Sequence, residues 1–221
     1  VGRVIARPFI DNSDPGKTDP AKAPRFQRTK NRRDFSVAPP KASILDHLKS
    51  AGFATVGIGK IGDIFAHQGL TEAREHMRDN AEGMGETLKA VRSLGRDGLI
   101  FTNLVDTDML FGHRNDCPGF RTSLEAFDRW LPNLLEEMSE DDLLILTADH
   151  GIDPTTPSTD HSREYVPILV AGKKVVPGVN LGTRKTFADI AKTIDDYFEL
   201  GALDAGESFL PALLGVEARA V

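Results

Sequence analysis

Two short stretches of the chain set carboxylates beside imidazoles. One is Asp149-His150-Gly151, which follows an apolar run at 143–146 and continues through Asp153 and Pro154 to Asp160-His161. The other is Asp106-Thr107-Asp108 with His113 five residues further on, after the apolar run GLIFTNLV at 98–105. Such side chains bind a borderline-hard divalent ion such as Mn²⁺ or Zn²⁺. For one Asp-His pair, a strand that ends in a polar turn is an alternative reading. Two pairs at the ends of neighbouring strands are harder to explain as coincidence. The candidate ligands are Asp108, His113, Asp149, His150 and His161, a number that suggests two ions. Two-metal sites stabilise the attacking and leaving oxygens of an in-line displacement, which points to phosphoryl chemistry. Asp106 is expected to orient its loop rather than to ligate. His47, in a helix, and His67 and His76, in polar surroundings, read as surface residues.

These residues need rigid elements behind them. Four apolar residues at 143–146 predict a strand buried on both faces, and open α/β sheets gather ligands at the carboxyl ends of such strands. Gly151 allows a sharp turn just beyond. Upstream, Ile44, Leu45 and Leu48 share a helical face closed by Gly52. Strands are predicted at 54–58, 98–105, 143–146 and 166–170. Helices are predicted at 80–94, at 119–138 with a bend near Pro132, and after Thr186, where Phe187, Ile190, Ala191, Ile194 and Phe198 form an apolar stripe. A short helix or loop closes the chain after residue 201. Alternating strands and helices predict an α/β fold with a mostly parallel sheet covered on both faces.

Residues 1–40 differ in character and form a separate region from the α/β core at 41–221. An apolar strand at 3–10 is followed by the turn-rich DNSDPG at 11–16, then by Lys22, Arg25, Arg28, Lys30, Arg32 and Arg33. By composition this tract reads as a solvated loop. The functional alternative is a phosphate-binding surface, since guanidinium forks match phosphate oxygens. Lys60, after Gly57 and Gly59 at a strand end, can meet an anion, although GxGK is not a Walker loop.

The chain is 40% hydrophobic and 27% charged, as an ordinary soluble protein is. A net charge of -6 argues against a general nucleic-acid binder. The single cysteine, Cys117, fits a reducing cytoplasm. No apolar run is as long as a membrane span, so neither nucleic acid nor membrane is an expected partner. The start, VGRVIA, lacks an initiator Met and reads as the middle of a strand, so the chain is expected to be the later portion of a longer protein.

The segments FTNLVDTDMLFGHRND (101–116), LTADHGIDPTTPSTDHSREYVPILV (146–170), GKIGDIF (59–65), VGRVIARPF and NRRDF together closely resemble the phosphopentomutase family, part of the alkaline phosphatase-like metalloenzymes. The resemblance extends over essentially the whole chain. It implies interconversion of ribose 1-phosphate and ribose 5-phosphate, and of the deoxyribose equivalents, with two Mn²⁺ ions, a phosphorylated threonine and a sugar bisphosphate activator. By motif match, Asp108, His113 and His161 are expected on one manganese and Asp149 and His150 on the other. Arg28, Arg32, Arg33 and Lys60 are the expected anchors of the non-transferred phosphate, with Arg7 a further candidate. The resemblance makes residues 1–40 the end of a cap domain. It sets the nucleophilic threonine and a further aspartate ligand upstream; neither motif occurs in these 221 residues, so this stretch alone is expected to be inactive. The alternatives are a cofactor-independent phosphoglycerate mutase or metal-dependent phosphatase of the same superfamily, or a truncated, non-catalytic metal-binding module.

Overall fold

The computed structural model describes residues 3–11, 26–29, 31, 33–75, 77–95 and 97–215. Two antiparallel pairs come first: β1 (Arg3–Ala6) with β4 (Arg33–Ser36), and β2 (Phe9–Asp11) with β3 (Phe26–Arg28). The single strand expected at 3–10 is thus two strands, parted at Arg7 and Pro8. Pro8 lacks an N–H for a ladder, and its carbonyl instead accepts from the Thr29 amide at 2.8 Å. Val4, Phe9, Ile10, Phe26 and Phe35 all remain more than half exposed.

The α/β portion is built on β5 (Ala54–Ile58), every residue of which is buried. It lies between β6 (Glu72–Arg74) and β7 (Gly98–Thr102), parallel to both. The two-residue period of a strand sorts the core into two layers. Val56 and Ile58 pack with Ala90 of α3 (Asn80–Ser93), joined by Ile100 of β7. On the other face Leu45 of α1 (Ile44–Ser50), Ile61 of α2 (Ile61–Ile64) and Leu70 pack together, joined by Leu99. Gly57 belongs to this second layer, where a Cβ would stand 2.9 Å from Leu70 Cδ1. The helix ends follow their sequence signals. Asp79 caps α3 by accepting from Glu82 N at 2.9 Å, and Gly52, at φ 91°, follows α1.

Gly59 closes the sheet toward the site. Its φ is +78°, and a Cβ there would lie 2.5 Å from the Asn103 carbonyl oxygen. Gly59→Ala therefore meets both a left-handed backbone and a backbone atom that cannot give way, for an expected loss of about 2–4 kcal/mol. Gly85, inside α3, has no positive φ, and a Cβ there would have nothing within 4 Å. Gly85→Ala is expected to stabilise by about 0.5–1 kcal/mol, because alanine is the better helix former. Urea melts of the two variants should move in opposite directions.

After β7 come a π-helical turn (Thr107–Phe111), a 3-10 turn (Gly112–Arg114) and α4 (Cys117–Glu137), which holds Pro132 within it. The 143–146 run becomes β8 (Leu144–Thr147), half-buried rather than covered on both faces, and antiparallel to β9 (Ile168–Ala171). This ladder is a two-stranded sheet of its own, so the parallel sheet holds three strands among the described residues and β7 and β8 do not pair there. Then α5 (Ala188–Tyr197) and α6 (Leu210–Leu213) close the described chain. In α5 the expected apolar stripe is not what is most buried. Phe187 is 57% exposed, whereas Asp189, Thr193 and Asp195 are almost completely buried. Thr186 contributes to the helix start through its hydroxyl, which accepts from Ala188 N at 3.2 Å, but the capping residue is Phe187. Among the described residues no helix is long and apolar enough to cross a membrane.

Candidate metal centre

Asn80, the first residue of α3, fixes the chain that leaves β7. Its side-chain oxygen accepts from the backbone amides of Val105 at 2.8 Å and Asp106 at 2.9 Å. In return Asp106 Oδ2 accepts from Asn80 N at 2.7 Å, an anion at a helix N-terminus. Asp106 thus orients the loop, and Asp108 is the carboxylate presented beyond it. The π-helical turn that carries Asp108 is closed by the Arg114 guanidinium, which donates to the Met109 carbonyl. Gly112 leaves room for the second loop, since a Cβ there would come within 2.6 Å of Ile152 Cδ1.

The second loop is folded onto the first. Ser162 N donates to Gly151 O at 2.9 Å, a bridge that sets His150 and His161 on adjoining sides of a closed loop. Three contacts then join the loops: His113 Nδ1 with Thr159 O at 2.6 Å, Asn115 Nδ2 to Thr156 O at 3.1 Å, and Cys117 Sγ to Pro154 O at 3.2 Å. Within the second loop, Asp153 Oδ1 accepts from both the amide and the hydroxyl of Thr155. The Thr155 hydroxyl and amide hold this carboxyl below its ordinary value. Asp153 is thereby a turn-former, not a ligand.

Asp108 Oδ1 sits at the junction. His113 Nε2 is 3.2 Å away and His161 Nε2 is 3.3 Å away. His150 belongs to the same group: Asp108, His150 and His161 each offer a ligand atom within 4.8 Å of the others. The rings of His150 and His161 stack at 3.6 Å, and those of His113 and His161 at 4.9 Å. Asp149 lies at the rim, 64% exposed, with Oδ1 3.6 Å from His150 Nε2.

The donor set suits a divalent cation. Asp108 Oδ1 is fully shielded from solvent yet has no hydrogen-bond partner, despite two imidazole nitrogens close by. An orphaned carboxylate oxygen is costly unless a cation occupies the space it faces. Donors bound at about 2.0–2.2 Å to one ion stand roughly 3–3.5 Å from each other, which the Asp108–His113 and Asp108–His161 separations match. The contact of His113 Nδ1 with a backbone carbonyl leaves Nε2 turned toward Asp108, as in metal-ligating histidines.

The phosphate-anchor candidates are less fully placed. Lys60 Nζ lies 3.1 Å from Met109 Sδ, against the turn that carries Asp108. Arg33 begins β4 and Arg7 follows β1, both exposed. Arg32, the Arg28 side chain and the rest of the basic tract, Lys22, Arg25 and Lys30, lie outside the described residues, as does His76. Asn80, Arg114 and Thr159 were not singled out in the sequence. Their parts are played by an amide, a guanidinium and a backbone carbonyl acting across distant segments. Only Asn80, directly after a capping aspartate, carries a local signal.

The sequence matches the metalloenzyme superfamily over residues 6–202, and the chain belongs to that superfamily. Within it, the chain is similar to phosphopentomutases. It is 50% identical to the phosphopentomutase of Acetivibrio thermocellus over 97% of this chain and 52% of the relative. Against that of Caldanaerobacter subterraneus the identity is 51% over 96% and 51%. The chain thus spans about half the length of the curated relatives it matches. Among solved structures it resembles the PH0037 protein from Pyrococcus horikoshii with a TM-score of 0.54. The identity is 15%, covering 82% of this chain and 59% of that one, a likeness of fold alone.

Proposed function

We propose that this chain is the metal-binding part of a phosphopentomutase, which interconverts ribose 1-phosphate and ribose 5-phosphate and the deoxyribose equivalents. The observation that carries this reading is the 50–51% identity to phosphopentomutases over 96–97% of the chain. The convergence of Asp108, His113, His150 and His161 supports the chemistry.

Asp108, His113, His150 and His161, with Asp149 at the rim, would hold two Mn²⁺ ions, the second completed by an upstream carboxylate. Bound there, the metal supplies positive charge that stabilises a phosphoryl group in transit between oxygens. The chain's own residues do the positioning. Asn80 and Asp106 hold the Asp108 loop against α3, and Thr159 and Gly151 aim the imidazoles. Lys60, beside Met109, supplies a cation for the phosphate that does not move, together with Arg7, Arg28, Arg32 and Arg33 from the antiparallel region at 1–40. That region acts as the end of a cap over the core at 41–221. The phosphoryl carrier is an upstream threonine, and a sugar bisphosphate primes it.

The test uses the protein expressed from its complete reading frame. With Mn²⁺ and a trace of ribose 1,5-bisphosphate, it should convert ribose 1-phosphate to ribose 5-phosphate without net phosphate release. Release of inorganic phosphate alone would point to a phosphatase. Turnover of phosphoglycerate in place of the pentose phosphate would point to the other mutase, and metal binding without turnover to a non-catalytic module.

A further inference from the structure

A second group of donors, sharing no residue with the first, converges where α2 leads round to β6. Asp63 in α2, His67 in the following turn and Glu75 just past β6 each offer a ligand atom within 4.8 Å of the others. His67 Nδ1 is 3.5 Å from Glu75 Oε1. Glu75 Oε1 is itself fully shielded from solvent and has no hydrogen-bond partner. An ordinary ion pair would close that gap with an N–H···O bond. Here the ring and the carboxylate stand 3.5 Å apart with no hydrogen bond between them.

The backbone leaves space for this arrangement. A Cβ at Gly62 would stand 2.0 Å from Glu75 Oε1 and 3.1 Å from His67 Cε1, so only glycine lets both side chains lie against the start of α2. The His67 amide donates to Gly62 O at 2.8 Å, which closes the turn with His67 at φ 58°. The His67 side chain is 59% exposed and Glu75 20% exposed, so the group has an open entry and a buried floor.

We propose that Asp63, His67 and Glu75 form a second divalent-cation site, suited to zinc, separate from the centre at Asp108. One imidazole and two carboxylates are a zinc donor set, with water free to complete the coordination. A cation here satisfies Glu75 Oε1 and ties α2 to the end of β6, which stiffens the turn just after Lys60. The site stands independently of the phosphoryl-transfer reading, because its occupancy is counted without any activity.

The test is ion counting on the 221-residue chain. Asp108→Asn with His161→Ala dismantles the first donor group, and titration with zinc chloride followed by calorimetry should still find one ion per chain. Adding His67→Gly or Glu75→Gln should abolish it. Glycine accepts the positive φ at position 67 and glutamine keeps the size of Glu75, so both variants should keep their circular dichroism spectrum. Absence of the remaining ion, or its persistence in either variant, overturns the proposal. If the double substitution at Asp108 and His161 unfolds the chain, Co²⁺ absorption of the otherwise unaltered chain decides. His67→Gly should then lower the bound cobalt by one equivalent, and an unchanged count overturns the proposal.

Discussion

Asp108→Asn is expected to weaken Mn²⁺ binding at the loops after β7 and β8 by more than about 100-fold while leaving the metal-free fold as stable or more stable. Substitutions of residues that merely support a ligand cost roughly 10–100-fold in affinity, and loss of a charged ligand at the centre of the group costs at least that. The opposite sign for the metal-free fold follows from burial. Asp108 Oδ1 is shielded and receives no hydrogen bond, so an amide of the same size forfeits no bond at that atom. Asp106→Asn is the contrast. Its Oδ2 accepts from Asn80 N at 2.7 Å, so replacing it weakens a helix-terminal bond and costs about 1 kcal/mol of fold stability. Its effect on metal affinity should be the smaller, outer-sphere one. Equilibrium dialysis with elemental analysis measures the ions, and thermal melts with and without Mn²⁺ measure the fold. Unchanged manganese content in Asp108→Asn would remove Asp108 from the ligand set.

The candidate residues were legible in the sequence because both acid–histidine stretches follow apolar runs, and an apolar run that ends in charge marks the carboxyl end of a strand. How they group was not. His150 and His161 stack at 3.6 Å because Ser162 bonds back to Gly151 across a loop without periodicity. Nothing in residue type announces that bridge. The family resemblance expects His150 on a different ion from Asp108 and His161, while the geometry gathers all three within 4.8 Å. Two ions that share such a cluster accommodate both descriptions. Likewise β5 was readable from its five apolar or small residues, all of them buried. The antiparallel sense of β8 and β9 was not, since alternation and run length carry no information about strand direction.

In α5 the apolar stripe is partly buried apart from Phe187, but the sequence pattern misses the most buried residues, for a reason that yields the other large effect. A stripe of apolar residues predicts what a helix buries only when the partner surface is apolar. Here the partner is the returning chain at 200–215, which brings backbone N–H groups that need acceptors. Asp189 accepts from Glu207 N at 2.9 Å and from Arg184 Nε at 2.8 Å. Thr193 Oγ1 accepts from Phe209 N at 3.0 Å. Asp195, fully buried, accepts from Ala202 N at 2.9 Å, Leu203 N at 3.3 Å and Lys192 Nζ at 2.7 Å.

Asp195→Ala is therefore expected to cost about 2–4 kcal/mol, chiefly by leaving the two amides without an acceptor. Lys192 keeps a second partner in Asp196 Oδ1 at 3.0 Å, so the ammonium is not left alone. The same site sets an acid limit on the fold. Burial pushes the Asp195 carboxyl up, but the Lys192 ammonium and the Ala202 and Leu203 amides outweigh it and hold the carboxyl below its ordinary value. A carboxyl lowered by folding contributes stability that is complete above its unfolded pKa, about 4. That contribution disappears as pH falls from there through the folded value. Urea melts from pH 7 to pH 3 should show the native chain losing stability below about pH 4. Asp195→Asn should lose less over that interval, because it begins without the charge. Parallel curves for the two proteins would mean that the anchoring of 200–215 owes nothing to the charge on Asp195.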